Sequence, residues 1–199
     1  MKIFRLGLIF SVLSTFLNLN LITSIAHAAA ADTDVALTLS ASSYQYGYTL
    51  SNSYNNSFNA MTLEAWVRPT SNPSYMGVIG KELAYTIYAI SGYWYYAFAN
   101  TSGSWAGIYT GIPVKINEWH HVAVARTAST SAANFYIDGN LIYSGTADGA
   151  GTGLIGYSNY ALYIGDRSGQ TNGSVDTNWV FPGQLDEVRI WKTERTQSQ

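Results

Sequence analysis

The sequence predicts an all-β protein of antiparallel sheets, and three observations carry that expectation. Short runs in which residues of one face alternate with residues of the other recur along the chain, as in MTLEAWVR at residues 61–68 and WHHVAVAR at residues 119–126. Alternation at period two is what a pleated strand with one buried face imposes. Turn-forming Gly, Asn and Ser separate these runs at spacings of about eight to twelve residues, the rhythm of a sandwich or barrel. No helical periodicity of useful length interrupts them.

Taken in order, strands are expected at residues 36–40, 44–50, 61–69, 77–81, 85–91, 94–99, 105–109, 119–127, 134–138, 141–144, 161–165 and 185–192. Each is a short alternating run bounded by turn residues, and the sharpest boundary is Asp138-Gly139-Asn140. There Asp-Gly supplies the positive φ angles of a tight hairpin, so Asp138 is read as a turn residue and not a metal ligand. The loops at residues 51–59, 127–132, 145–159 and 166–179 are polar and glycine-bearing. The last is long for a connection and carries Asp166, Gln170, Asn172, Asp176 and Asn178. Long loops on a rigid scaffold are functional or mobile. No internal repeat or linker divides the chain.

The N-terminus has the three parts of an export signal: basic Lys2 and Arg5, an apolar run over residues 6–25, and a small-residue end at Ala26-His27-Ala28. Such a pattern is removed on export. The expected organisation is therefore a signal peptide over residues 1–28 and one domain over residues 29–199. Polar Ser11, Ser14, Thr15, Asn18 and Asn20 interrupt the apolar run, which argues against a membrane anchor. No later segment is apolar for long enough to span a bilayer as a helix. The remaining part has eight basic and twelve acidic residues, a formal charge of −4, which argues against nucleic acid as a partner. With no cysteine, the domain must be held by its core or by a bound ion.

The order of LEAWVR, EWHHVAVAR, FYIDGNLI, LYIGD and FPGQLDEVRIWKTERT resembles the laminin G-like jelly-roll family within the concanavalin A-like lectin and glucanase superfamily. The likeness runs from about residue 36 to residue 195. It implies a two-sheet antiparallel jelly-roll sandwich. The chain departs from the family pattern where Ser40-Ala41 stands in place of the usual Phe-Asp-Gly, and it stops at Gln199 where the family continues into a closing stretch. It is thus expected to be truncated at its C-terminal end or to be a module of something longer.

Candidate chemistry is narrow. His120 and His121 are adjacent on a strand and point to opposite faces, so they cannot jointly hold a metal. With no cysteine, a zinc site or a Cys-His nucleophile is excluded. Enzymes with related sandwiches that cleave glycans need two acids about five to ten Å apart. The strands here carry Glu64 alone, and Asp186 with Glu187 as neighbours facing opposite ways, so no catalytic residue is assigned. Glu64, Glu187, Arg126 and Arg189 are expected as polar pairs across or at the edge of a sheet. Trp66, Trp119 and Trp191 are expected at core or edge positions.

Rings are the argument for a ligand. If Trp94, Tyr96 and Phe98 face the core, Tyr93 and Tyr95 face out, and with Trp105 and Tyr109 on the next strand they form the candidate ligand-binding set. Cross-strand packing of a solvated sheet is the competing reading of the same residues. The resemblance implies one cofactor, calcium, since related pentraxins and laminin G domains hold that ion at a rim loop. The carried-over candidates are Asp166 and Asp176, with Asn172 as an amide ligand.

The expected function is a secreted or cell-surface, non-catalytic recognition module that binds carbohydrate or an extracellular partner. A structural or adhesive tile of a larger surface protein is the alternative from another class, and a glycan-cleaving enzyme is the third. The export reading is checked by N-terminal sequencing: the exported protein should begin near Ala29 in the soluble fraction, and an intact N-terminus in a membrane fraction would contradict it.

Overall fold

The computed structural model describes residues 35–99, 105–130, 132–146, 153–167 and 177–199. The expected signal at residues 1–28 lies outside the described residues. Twelve strands follow in order: β1 (Leu37–Leu39), β2 (Gly47–Thr49), β3 (Ala60–Pro69), β4 (Tyr75–Lys81), β5 (Tyr85–Ile90) and β6 (Tyr93–Ala99) in the first half. The second half holds β7 (Trp105–Pro113), β8 (His120–Thr127), β9 (Ala132–Ile137), β10 (Asn140–Thr146), β11 (Leu162–Ile164) and β12 (Gly183–Trp191). Every strand expected from the alternation is present, with ends shifted by a few residues. A single 3-10 turn, Ala41–Ser43, is the only helical element among the described residues.

The strands form two six-stranded sheets, β1-β12-β3-β8-β9-β10 (sheet A) and β2-β11-β4-β5-β6-β7 (sheet B). All neighbours in both are antiparallel. The pleat decides what lies between them. Met61, Leu63, Ala65 and Val67 of β3, Val122 and Val124 of β8, and Phe135 of β9 meet Tyr85, Ile87, Trp94, Tyr96 and Phe98 from sheet B, all of them buried. Tyr96 stacks on Phe135 across the gap, with centroids 6.1 Å apart and planes 15° off parallel. Trp94, Tyr96 and Phe98 thus face the core as the alternation requires.

Three readings from the sequence are corrected. Arg126 has the parity of Val122 and Val124, so it is buried at the end of the core with its guanidinium 5.5 Å from the Phe98 ring centroid, and not on an outer face or at a sheet edge. Asp186 and Glu187 do not simply alternate, because a bulge shifts the register between Asp186 and Arg189 and puts Glu187 at φ 49°. Trp66 is neither core nor edge: it stands on the outer face of sheet A in a central strand, 39% exposed.

The β9–β10 hairpin has the expected turn, with φ 50° at Asp138 and 74° at Gly139. The Asp138 carboxylate also ties the turn to β8, accepting the His121 backbone N–H at 2.9 Å and meeting His120 Nδ1 at 2.7 Å. Burial works to raise its pKa, and these bonds to His120 and His121 outweigh it, leaving the carboxyl below its ordinary value.

At the other end of the sandwich, Lys81 is fully buried. Its Nζ donates to Tyr160 O at 2.8 Å, Ser51 Oγ at 3.0 Å and Asn55 Oδ1 at 3.2 Å, so three protons meet three acceptors and fasten the β2–β3 loop to sheet B. Burial pulls its pKa down to about 8. The unfolded chain holds this proton more tightly, so between the native value and the unfolded value of 10.5 the site's contribution to stability grows with pH. That contribution is lost as pH falls through the native value. Lys81→Met should lower stability by about 1–3 kcal/mol at neutral pH by stranding the buried oxygens. Urea midpoints should then separate further in favour of the wild type between about pH 7 and about pH 9.5. A gap that is constant or closes with pH would refute this account.

Candidate functional site

The outer face of sheet B carries a continuous row of rings. Tyr88 of β5 lies opposite Tyr95 of β6, and Tyr95 opposite Tyr109 of β7, all on the side away from the core. Tyr88 and Tyr95 stack at 5.3 Å between centroids, Tyr95 and Tyr109 lie 5.2 Å apart, and Tyr93 meets Tyr109 edge-on at 5.5 Å. In the other direction Trp179 stands edge-on to Tyr88 at 5.6 Å and packs on Tyr75 at 4.7 Å. Tyr109, Tyr75 and Tyr93 are 50%, 41% and 40% exposed, whereas Tyr88 is buried beneath its neighbours.

The row is continuous because β4 has no side chains where it would be crossed. Gly77 and Gly80 both turn outward, and a Cβ at either would overlap the Asp166–Arg167 backbone, which leaves β11 and passes over the strand there. Gly165 N–H donates to Val78 O at 2.8 Å and Gly77 N–H to Trp179 O at 2.7 Å, so the crossing is pinned to the sheet. The Arg167 guanidinium then sits 4.6 Å from the Trp179 centroid and 5.2 Å from that of Tyr88, a cation over two rings. Burial pushes the Tyr88 phenol up to about 12, partly opposed by Arg167, so it remains a neutral hydroxyl at physiological pH.

Of the residues singled out from sequence, Tyr93, Tyr95 and Tyr109 come together in this row. Trp105 is placed on β7 opposite Ala99, and its side chain lies outside the described residues. Asp166 is fully buried, with Oδ1 accepting the Arg167 N–H at 2.5 Å. Tyr46 is its neighbour, with a phenol pKa raised by burial and then by Tyr48 and Asp166. Asn172 and Asp176 lie outside the described residues. Among the described residues no three of His, Cys, Asp or Glu gather as a metal set, so they contribute Asp166 alone to the calcium expectation. Sequence reading missed Tyr75, Tyr88, Arg167 and Trp179. Tyr88 was within reach, since counting by two from Thr86 puts it on the outer face.

The outer face of sheet A is organised by charge. Glu64, buried on β3, accepts two bonds from Arg195 Nη1 at 2.8 and 3.0 Å and lies 3.4 Å from Arg189, which also pairs with Glu187. Thr62 seats the same segment, its hydroxyl donating to Thr193 O and accepting from Arg195 N, both at 2.9 Å. Arg195 also covers the Trp191 ring at 4.4 Å.

Two six-stranded antiparallel sheets packed face to face, one with an open row of rings, define a sandwich of the lectin-like jelly-roll class. The chain belongs to the concanavalin A-like lectin/glucanases superfamily, whose laminin G-type family model matches residues 42–199. A curated relative from Rattus norvegicus, the "Sushi, von Willebrand factor type A, EGF and pentraxin domain-containing protein 1", is 25% identical over 154 residues, covering 73% of this chain and 4% of its own. Among solved structures, a Bacteroides ovatus protein whose name proposes carbohydrate binding aligns with a TM-score of 0.58 at 20% identity, over 77% of this chain and 43% of that one. A botulinum neurotoxin type C structure, reported with cell entry dependent on two ganglioside molecules, aligns at 0.53 with 17% identity over 77% and 38%. The chain therefore spans a small fraction of its curated relative and less than half of these two structures.

The glycine crossing has a direct check. Gly80→Ala should destabilise the domain by about 1–3 kcal/mol, because the methyl must displace backbone and not a mobile side chain. Urea unfolding followed by circular dichroism reads this, and an unchanged midpoint would show that the crossing is not seated as described.

Proposed function

We propose that this domain is an exported, non-catalytic module that recognises carbohydrate through the outer face of sheet B. The observation that carries the reading is the unbroken ring row from Tyr75 through Trp179, Tyr88 and Tyr95 to Tyr109. The exposed rings of Tyr75, Tyr93 and Tyr109, backed by buried Tyr88, can accept the apolar C–H faces of sugar rings, and their phenol hydroxyls are groups that can bond sugar hydroxyls. The row runs across the strands, which lie about 4.8 Å apart, so it suits a chain of several sugars better than one residue. Arg167, held over Trp179 and Tyr88, keeps the rings in place before a ligand arrives and so lowers the ordering cost of binding. Support also comes from structural neighbours named for carbohydrate or reported with gangliosides. The non-catalytic part rests on Glu64, whose carboxylate is committed to Arg195 and Arg189 and is not open to a glycosidic bond.

The test is binding to immobilised polysaccharides of differing backbone. Tyr95→Ala and Tyr109→Ala should each weaken binding about tenfold, the loss of one stacked ring, with the fold intact by circular dichroism. Retention of full affinity in the double variant would refute the site.

Calcium held after Gly165 by Asp166, Asn172 and Asp176 is the cofactor reading of the same module. A ligand specific to the native state raises the melting temperature with its concentration. Added calcium should raise it in the wild type and not in the Asp166→Asn, Asp176→Asn double variant; no shift in the wild type at millimolar calcium would dispose of the ion.

A further inference from the structure

On the opposite side of the sandwich, a cavity of about 290 Å³ opens on the outer face of sheet A. Its floor is Ala123, the one small side chain between Glu64 of β3 and Tyr136 of β9, which flank it in register. Trp66 and His121 make one wall, their rings 5.5 Å apart and tilted by 58°, and the segment from Arg195 to Gln199 makes another. Trp66 keeps 39% of its surface open in the middle of the sheet, so its indole face is available beside the cavity.

Charge narrows what this cavity could take. Glu64 and Glu187 are matched by Arg195 and Arg189, so the two acids and two arginines around the floor cancel. Burial lowers the His121 pKa, opposed by Glu64 and reinforced by Arg189 and Arg195, which leaves the imidazole neutral at physiological pH. Asp138 acts on His121 and Glu194 on Tyr136, so an anionic ligand would meet further acid beside the same walls, and desolvating its own charge would be costly. What remains is an indole face, a phenol, an imidazole and glutamine amides, a set that stacks on a ring and bonds hydroxyls. The volume lies at the small end of ligand sites.

We infer that the outer face of sheet A carries a second, separate binding site for a single neutral pyranose, stacked on Trp66 over the Ala123 floor. The domain would then present sugar-binding surfaces on both of its outer faces, one reading an extended chain and one a single ring. The inference does not require the first site, since the two share no residue.

The experiment follows the indole N–H signals and the imidazole signals of the folded domain by NMR as a panel is added at millimolar concentration: methyl glucoside, methyl galactoside, methyl mannoside, glucuronate and p-nitrophenol. At least one neutral methyl glycoside should shift the Trp66 and His121 signals in a saturable way. Ala123→Leu, which fills the floor, and Trp66→Ala, which removes the stacking face, should each weaken this binding at least about tenfold, while Tyr109→Ala leaves it unchanged. Loss through Tyr109→Ala would assign the sugar to sheet B. Shifts from glucuronate or p-nitrophenol alone, no shift from any methyl glycoside, or full binding in folded Ala123→Leu would each overturn the inference.

Discussion

In a protein of two packed sheets the pleat assigns every strand residue to one of two surroundings, and almost everything seen here follows from that assignment. Inward positions fill a single core, and outward positions must be wetted, covered or put to use. The two sheets solve the outward problem differently. Sheet A lays a charged segment across its outer face, with Glu64 as the fixed point for Arg195. Sheet B removes side chains from β4 at Gly77 and Gly80, lets residues 166–167 pass over the gap, and places tyrosines at outward positions of β5, β6 and β7. Both arrangements place a rigid cover beside an open aromatic surface.

The rings of sheet B depend on this cover more than on one another. Tyr88 and Tyr95 would stack without it, but Trp179 reaches the row only because the Gly77 N–H holds its carbonyl, and Arg167 only because Gly80 admits its backbone. Preorganised surfaces bind with less entropy to lose. The glycines of β4 therefore matter to recognition although they touch no ligand themselves.

Much of the fold was legible because period-two alternation is local. The strand runs, the Asp138-Gly139 turn and the outward parity of Tyr93, Tyr95 and Tyr109 all follow from a few neighbouring residues. What was not legible depends on distant chain. Residues 77–81 were expected as a strand, but nothing local tells that residues 166–167 pass over Gly77 and Gly80. Trp66 was expected at a core or edge position because nothing local shows that a cavity beside Tyr136 would leave it open. Arg126 was paired with surface acids despite its parity with Val122 and Val124, since a charged side chain is rarely placed in a core. The bulge before Arg189 broke the count that set Asp186 against Glu187.

The strand order of sheet A has a bearing on how the chain comes to its folded state. β12 lies between β1 and β3, with Leu37 opposite Leu185 on one side and Leu63 opposite Ile190 on the other. Until residues 183–191 exist and are free to insert, β1 has no neighbour and β3 has an unpaired edge. The local hairpins β8–β9 and β9–β10 can form early, but closure joins segments from the two ends of the domain, and such non-local pairing is slow. During synthesis sheet A is thus held open between β1 and β3, and it becomes a single cooperative sheet only when β12 slots in.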